Sequence, residues 1–296
     1  MTKNVVIMGG SGFLGKSIGQ ALSSSGYRIH ILTRTVRSNS CYQFPCVQID
    51  SKTLDGLPED IYMLINLAGE PIGDGVWTRN KRKKILESRV ESAKLAVKIS
   101  NEHSVSILIQ SSATGYYGSN SVRMEEGSPN GKGFLAETAF EWEKPIVNVN
   151  PGTRTIIMRL GVVIGKSGGF SEKMKSIYKL KLGASLGGGK HRLSWIHEKD
   201  VVTFVCEASE DTTYSGIYNL VAPNSATYKE LHVAFTKELG GLPWLNIPKA
   251  LLKAMFGKKS ELFLSDQDIA PSRLIDKGFK FKFHSIENAI QDVLAI

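Results

Sequence analysis

A doubly wound α/β architecture, with helices on both faces of a parallel sheet, is what this 296-residue sequence predicts. Three observations carry it. Apolar runs of strand length recur through the first 165 residues. Helix-length amphipathic segments separate them, and a glycine-rich turn joins the first run to the first of these segments. Strands separated by helical crossovers pair in parallel and are covered on both sides.

The elements follow in order. "NVVIMG" is a short apolar strand. In "FLGKSIGQALSSSG" Leu14, Ile18, Ala21 and Leu22 share one helix face. "YRIHILTR" and "MLINLAG" are strands, and "RKKILESRVESAKLAVKIS" places Leu86, Val90, Ala93 and Val97 on a second helical stripe. "VSILIQSS" is a strand, "FLAETAFEWEKPIV" a helix with Leu135, Ala139, Trp142 and Ile146 inward, and "TIIMRLGVVIG" a strand. Beyond Gly165 the pattern loosens into glycine-rich loops, "KSGGF" and "GASLGGGK", around the helix "SEKMKSIYKLKL". "HRLSWIH", "EKDVVTFVCEAS" and "GIYNLVA" then read strand, helix, strand. "TYKELHVAFTKELG" opens on a capping box, Thr227 with Glu230. The final helix, "SIENAIQDVL", has Ser285 as its N-cap. The expected division is a dinucleotide-binding domain over 1–165 and 198–222, and a smaller C-terminal substrate lobe over 166–197 and 223–296.

No apolar run approaches the roughly 20 residues that span a membrane, and the first strand begins without a cleavable leader. The expectation is a soluble, cytoplasmic protein with no membrane partner. Cys41, Cys46 and Cys206 lack metal-like pairing and read as reduced thiols, so no metal is expected. The net charge of +9 raises nucleic acid, with "RNKRKK" (Arg79 to Lys84) the densest basic run. Without aromatic interleaving or a recognition motif, a solvated helix face is preferred and no nucleic-acid partner is expected.

"GGSGFLG" sets Gly9, Gly12 and Gly15 in the spacing G-x-x-G-x-x-G between strand and helix. Glycines there permit a tight turn, close approach of a pyrophosphate and close helix–strand packing. The helix N-terminus adds oriented N–H groups and a positive dipole. The second strand ends in Thr33 and Arg34, with Arg37 following. An acid there would bind a ribose 2′-hydroxyl, whereas arginine suits a 2′-phosphate, so the cofactor expected is NADP(H). Arg89 falls on or beside a buried helical stripe and needs an anion or several acceptors there. A cofactor phosphate and an internal Asp or Glu are the two candidates.

"GGSGFLG", "NLAG" (Asn66 to Gly69), "SSATGYYG" (Ser111 to Gly118), "RLGVVIG" (Arg159 to Gly165) and "SWIHEKDVV" together resemble the extended short-chain dehydrogenase/reductases, the NAD(P)-dependent epimerase/dehydratase group. "GEPI", "ESR" and the segment "ELFLSDQDIAPSRLIDKGFKF" resemble an atypical subgroup with an extra small C-terminal domain, known only as epimerase family proteins. The resemblance implies a Rossmann fold with cofactor contacts at Gly9, Gly12, Phe13, Leu14, Gly15, Thr33, Arg34, Arg37, Leu67, Ala68, Gly69, Arg89 and Val163. It also implies a catalytic serine at Ser112, assisted by a Tyr-x-x-x-Lys pair on the next helix.

That pair is missing. Phe134 and Leu135 stand where the tyrosine is expected, and Thr138 or Ala139 where the lysine is expected. Three readings stay open. Tyr116 or Tyr117 acts as the acid beside Ser112; another group, such as His197 or Glu137, serves; or the protein binds NADP(H) and a ligand without turnover, as a sensor or interaction module. The substrate implied is a carbonyl compound or alcohol, with a nucleotide-sugar one possibility. Lys190 and Arg192 could meet its diphosphate or belong to a basic loop that faces water.

Overall fold

In the computed structural model, residues 2–36, 42–166 and 168–295 are described. Arg37 and Cys41, singled out above, lie outside them. The chain opens with β1 (Asn4–Met8), α1 (Phe13–Ser24), β2 (Arg28–Thr33), β3 (Cys46–Asp50) and β4 (Met63–Asn66). It continues with α2 (Arg79–Glu102), β5 (Ile107–Ala113), a 3₁₀ turn at Thr114–Tyr117, α3 (Phe134–Glu143) and β6 (Arg154–Leu160). After β7 (Val162–Ile164) come α4 (Gly169–Lys179), β8 (Ser185–Leu186), β9 (Arg192–Leu193), β10 (Trp195–His197), α5 (Glu198–Glu210) and β11 (Gly216–Leu220). The last elements are β12 (Ala226–Thr227), α6 (Tyr228–Leu239), β13 (Asn246–Ile247), α7 (Lys249–Phe256), α8 (Glu261–Leu264), α9 (Ser272–Asp276) and α10 (Ile286–Leu294).

Seven strands form one parallel sheet in the order β11-β6-β5-β4-β1-β2-β3. The direction of winding reverses between β1 and β4, which opens a crevice beyond their carboxyl ends. Side chains alternate across the sheet. Val5, Ile7, Ile107, Ile109, Ile156 and Met158 meet the side covered by α1 and α5, while Val6, Leu64 and Leu108 meet the α2 side. A third core joins α4, α6 and α10 around Tyr178, Trp195, Phe235 and Ile290.

Three local features differ from the expectation. β3 is added at the sheet edge; "CVQID" has too few consecutive apolar residues to stand out. The run "TIIMRLGVVIG" breaks into β6 and β7 at Gly161, where a Cβ would lie 2.8 Å from the Ser194 carbonyl oxygen. Helix α3 gives way to a 3₁₀ turn, Lys144–Asn148, because Pro145 lacks the N–H that an α-helix needs. The capping box of α6 and the Ser285 cap of α10 both form.

Part of the chain beyond residue 223 packs on the main core rather than with α4, α6 and α10. Leu274 and Phe279 are buried in the main core beside Phe204 and Tyr218. Arg273 donates to the carbonyls of Ile217 at 2.7 Å and Ser215 at 2.9 Å, which ties α9 to β11. The chain leaves the lobe, crosses the sheet edge, and returns to the lobe as α10.

Candidate active site

At the β1–α1 turn the glycines meet the demands placed on them. Gly9 has φ +76°, and a Cβ there would come within 2.9 Å of the Leu67 and Ala68 backbone. A Cβ at Gly15 would lie 2.5 Å from the Cα of Gly10, so nothing larger lets α1 sit this close to β1. The side chains of Phe13 and Leu14 turn inward: Phe13 lies against Gly165, Gly168 and Gly169, and Leu14 packs on the main core. Helix α1 has no side-chain cap and no acidic residue in its first turn. Its first amides and its positive end face the crevice unopposed.

The second wall of the crevice is the "NLAG" loop after β4, held from below by buried amides and hydroxyls. Asn66 donates to Gln110 at 2.9 Å and to Ser92 at 3.3 Å, and its Oδ1 accepts from the Ala68 amide at 3.1 Å. Ser111 donates to the Asn66 carbonyl at 2.5 Å. At the end of β2, the Thr33 hydroxyl is occupied by Thr35, and Arg34 is exposed with no ion pair among the described residues. Arg34 does lie near enough to Glu70 to help lower that carboxyl, after the larger effect of its hydrogen bond from Lys81.

Among the described residues Arg89 has no ion pair with an Asp or Glu. Its Nη1 donates to the carbonyls of Glu70 and Ile85, each at 3.0 Å, and the guanidinium lies 5.0 Å from the centre of the Trp142 ring. The internal Asp or Glu is therefore replaced by backbone oxygens and an aromatic face. Burial lowers the Arg89 pKa to about 10, partly offset by Glu70. Its guanidinium rests against Gly69, so Arg89 shares the NLAG wall.

At the end of β5 the hydroxyls are already engaged. Ser112 donates to Glu143 Oε1 at 2.5 Å. Arg159 grips the same carboxylate through two bonds, Nε to Oε1 at 2.9 Å and Nη2 to Oε2 at 2.8 Å. Arg159 Nη1 also donates to the Tyr117 hydroxyl at 2.8 Å, which donates in turn to Asn219 Oδ1 at 2.7 Å. Thr114 donates to Gln267 Oε1 at 3.2 Å. Burial would depress the Arg159 guanidinium, yet the hydrogen bonds and charge of Glu143 hold it above its ordinary value.

The Tyr117 expectation is corrected here. Its side chain is fully buried, its hydroxyl has both a donor and an acceptor, and burial pushes its pKa up to about 12 against the pull of Arg159. It is a structural strut. Tyr116 differs. It is half-buried, its ring lies 3.5 Å from the Arg159 guanidinium, and its hydroxyl has no hydrogen-bond partner among the described residues.

Two further sequence candidates are displaced. His197 is fully buried and caps α5, its Nδ1 accepting from the Lys199 amide at 3.1 Å, and burial lowers its pKa to about 4. Arg192 is paired with Asp266 at 3.2 Å and Asp268 at 2.8 Å, so its charge anchors the C-terminal segment rather than facing a diphosphate. Lys190 remains exposed, and so does Glu137 in the first turn of α3. Val163 is half-buried at the register partner of Ile196.

The structure adds residues that the sequence reading did not single out. Glu143 and Arg159 organise the β5 end. Glu261, from α8, accepts from the Leu135 amide at 3.3 Å, next to Phe134, and burial raises its pKa. Phe134 is flanked by Trp77, at 5.3 Å between ring centres, and by Arg82 at 5.5 Å. An aromatic patch with a carboxyl and a guanidinium thus occupies the place of the missing tyrosine.

Comparison with known proteins agrees with this geometry. Residues 5–220 match the model of the NAD dependent epimerase/dehydratase family, and residues 247–293 match a domain of unknown function, DUF1731. The chain belongs to the NAD dependent epimerase/dehydratase family. It is 31% identical to the chloroplastic "Epimerase family protein SDR39U1 homolog" of Arabidopsis thaliana, over 98% of this chain and 86% of that protein. It is also 31% identical to "Epimerase family protein YfhF" of Bacillus subtilis, over 99% of this chain and 98% of that one. Among solved structures, human epimerase family protein SDR39U1 with NADPH superposes with a TM-score of 0.89 at 28% identity, covering 98% of this chain and 99% of that one. A nucleoside-diphosphate sugar epimerase from Corynebacterium glutamicum superposes at 0.75 with 26% identity, covering 99% of this chain and 58% of that one.

Proposed function

We propose that this protein binds NADP(H) in the crevice between the β1–α1 turn and the NLAG loop, and transfers hydride to or from a carbonyl compound or alcohol. The observation that carries the reading is the uncapped N-terminus of α1 behind glycines that leave no room for a Cβ, with exposed Arg34, which has no ion pair among the described residues, at the end of β2. The amides of Phe13, Leu14 and Gly15 would hold the pyrophosphate, with Gly9 and Gly12 shaping the turn. Thr33, Arg34 and Arg37 would surround the 2′-phosphate, while Leu67, Ala68, Gly69, Arg89 and Val163 would line the rest of the cofactor. The NADPH in the human relative supports that choice. When bound, the nicotinamide supplies the hydride.

Ser112 and Tyr116 are the catalytic groups in this reading. Ser112 has given its proton to Glu143 in a hydrogen bond, so its lone pairs are free to accept from a substrate hydroxyl. The Tyr116 hydroxyl is free to donate to a carbonyl oxygen or to receive the proton of an alcohol. A nucleotide-sugar is the substrate class proposed, supported by the likeness to the bacterial nucleoside-diphosphate sugar epimerase.

Titration with NADPH and NADH, followed by nicotinamide fluorescence, tests the cofactor. Equal or tighter NADH binding would overturn the choice of NADP(H). A screen of nucleotide-sugars and simple ketones with bound cofactor then tests turnover. One observation favours a second reading, a binding module without turnover: the usual Tyr-Lys pair is absent and most hydroxyls around Ser112 are engaged within the protein. Tight NADPH binding with no hydride transfer across the screen would decide for it.

A further inference from the structure

The C-terminal lobe carries an exposed apolar surface that includes a tryptophan. Trp244 is 76% exposed, and Leu180 and Leu182 are 70% and 67% exposed. They belong to one face. The Ser185 amide donates to the Leu245 carbonyl at 2.8 Å, β8 pairs with β13, and Lys181 donates to the Leu239 carbonyl. Helix α7 follows β13 directly and turns Leu251 and Met255 outward while Leu252 is buried.

The same two stretches, 175–182 and 237–259, hold eight lysines and one glutamate, which is seven of the nine net positive charges of the chain. Among the described residues none of these lysines is in an ion pair, and Lys179, Lys249 and Lys253 are exposed. The contrast with the basic run of α2 is direct: there Lys81 pairs with Glu70 and Lys83 with Glu87, as a solvated helix face does.

We propose that this face docks on an anionic lipid surface, with Trp244 and the exposed leucines entering the headgroup boundary and the lysines meeting lipid phosphates. Lysine is depleted from the centres of protein–protein interfaces, whereas lysine interleaved with Trp and Leu is the composition of surfaces that lie in a membrane interface. Among the described residues no helix is long and apolar enough to cross a membrane, so the contact is peripheral. The sequence-level expectation of no membrane partner rests on the absence of a span, which leaves such a contact open. The inference is independent of the proposed hydride chemistry.

Trp244 also supplies the readout, because Trp77, Trp142 and Trp195 are buried. The full-length protein is mixed with vesicles of phosphatidylcholine alone, or with a third of it replaced by phosphatidylglycerol. Sedimentation and tryptophan emission are then followed. We expect co-sedimentation and a blue shift only with the anionic vesicles, both reversed by high salt, which screens exposed charge. Lys249→Glu with Lys253→Glu should weaken binding at least about tenfold, and Trp244→Phe should remove the blue shift while preserving sedimentation. Lys83→Glu with Lys84→Glu, on α2, should change neither. The proposal fails if anionic vesicles do not bind the protein, or if the lobe reversals leave binding intact. It fails equally if Trp244 shifts to the blue with protein concentration alone, which would show a second copy covering the face.

Discussion

The two strand ends that face the crevice are built on opposite plans. At the end of β1 the backbone is stripped of side chains and α1 has no side-chain cap, while Arg34, at the end of neighbouring β2, has no ion pair among the described residues. At the end of β5 the polar groups are abundant but satisfied, from Ser112 through Glu143 and Arg159 to Tyr117 and Asn219. Unpartnered donors recognise whatever anion arrives. A closed network fixes geometry and offers a ligand only its unspent valences, here the Ser112 lone pairs and the Tyr116 hydroxyl. Substitutions in the first region should therefore act on binding, and substitutions in the second on stability.

The largest effect is expected at Glu143. Glu143→Ala leaves the Arg159 guanidinium buried with its carboxylate gone, and breaking a buried pair this way costs about 3–5 kcal/mol. Chemical denaturation should show the loss, with NADPH affinity little changed wherever the variant is folded. If stability is retained and binding falls instead, the contrast between the two regions is wrong.

Gly15→Val comes next. Its side chain would have to displace the Gly10 backbone, and overpacking of that kind costs about 1–3 kcal/mol. NADPH titration should show binding lost while the thermal transition stays cooperative. Arg34→Ala is sharper still as a test of the open region. It should weaken NADPH by about 1–3 kcal/mol, the worth of a hydrogen bond to a charged group. NADH affinity and melting temperature should hardly move.

How much of this contrast was legible in the sequence follows from the range of the forces involved. The β1–α1 turn is a local steric problem, so three glycines at fixed spacing between a strand and a helix disclose it. The β5 network is not local. Ser112 and Glu143 stand 31 positions apart, and Tyr117 and Asn219 stand 102 apart. Only the fold brings them together. A signal was nevertheless present: Arg159 interrupts the apolar run "TIIMRLGVV", and a charge inside a parallel strand needs a buried counter-charge. His197 shows the same limit. Its place before α5 marks a strand end, and its role as a helix cap depends on a backbone contact that composition does not show.

That cap gives a pH test of whether satisfied groups act on stability. The folded pKa of His197, about 4, lies below its ordinary 6.5. The unfolded chain therefore binds the proton first, and the contribution of His197 is complete above 6.5 and falls away as pH drops toward 4. Melting temperature should decline through that window. His197→Asn keeps a cap acceptor and should flatten the decline. An unchanged profile would mean that other groups set it.

The smallest effect on stability, and the one that decides the chemistry, is expected at Tyr116. Tyr116→Phe keeps the ring over Arg159 and removes only an unpartnered hydroxyl, so stability should stay within about 0.5 kcal/mol of wild type. If that hydroxyl moves the proton, hydride transfer on a confirmed substrate should fall by about 10²–10⁴-fold, the range of a positioned acid or base. NADPH affinity should be unchanged. Tyr117→Phe, which leaves Arg159 Nη1 and Asn219 Oδ1 short of a partner, should behave in reverse: less stable, yet active at whatever temperature keeps it folded. A Tyr116 variant with full turnover would move the proton transfer to another group at the crevice, and Glu261, half-buried beside Phe134, would be the next to test.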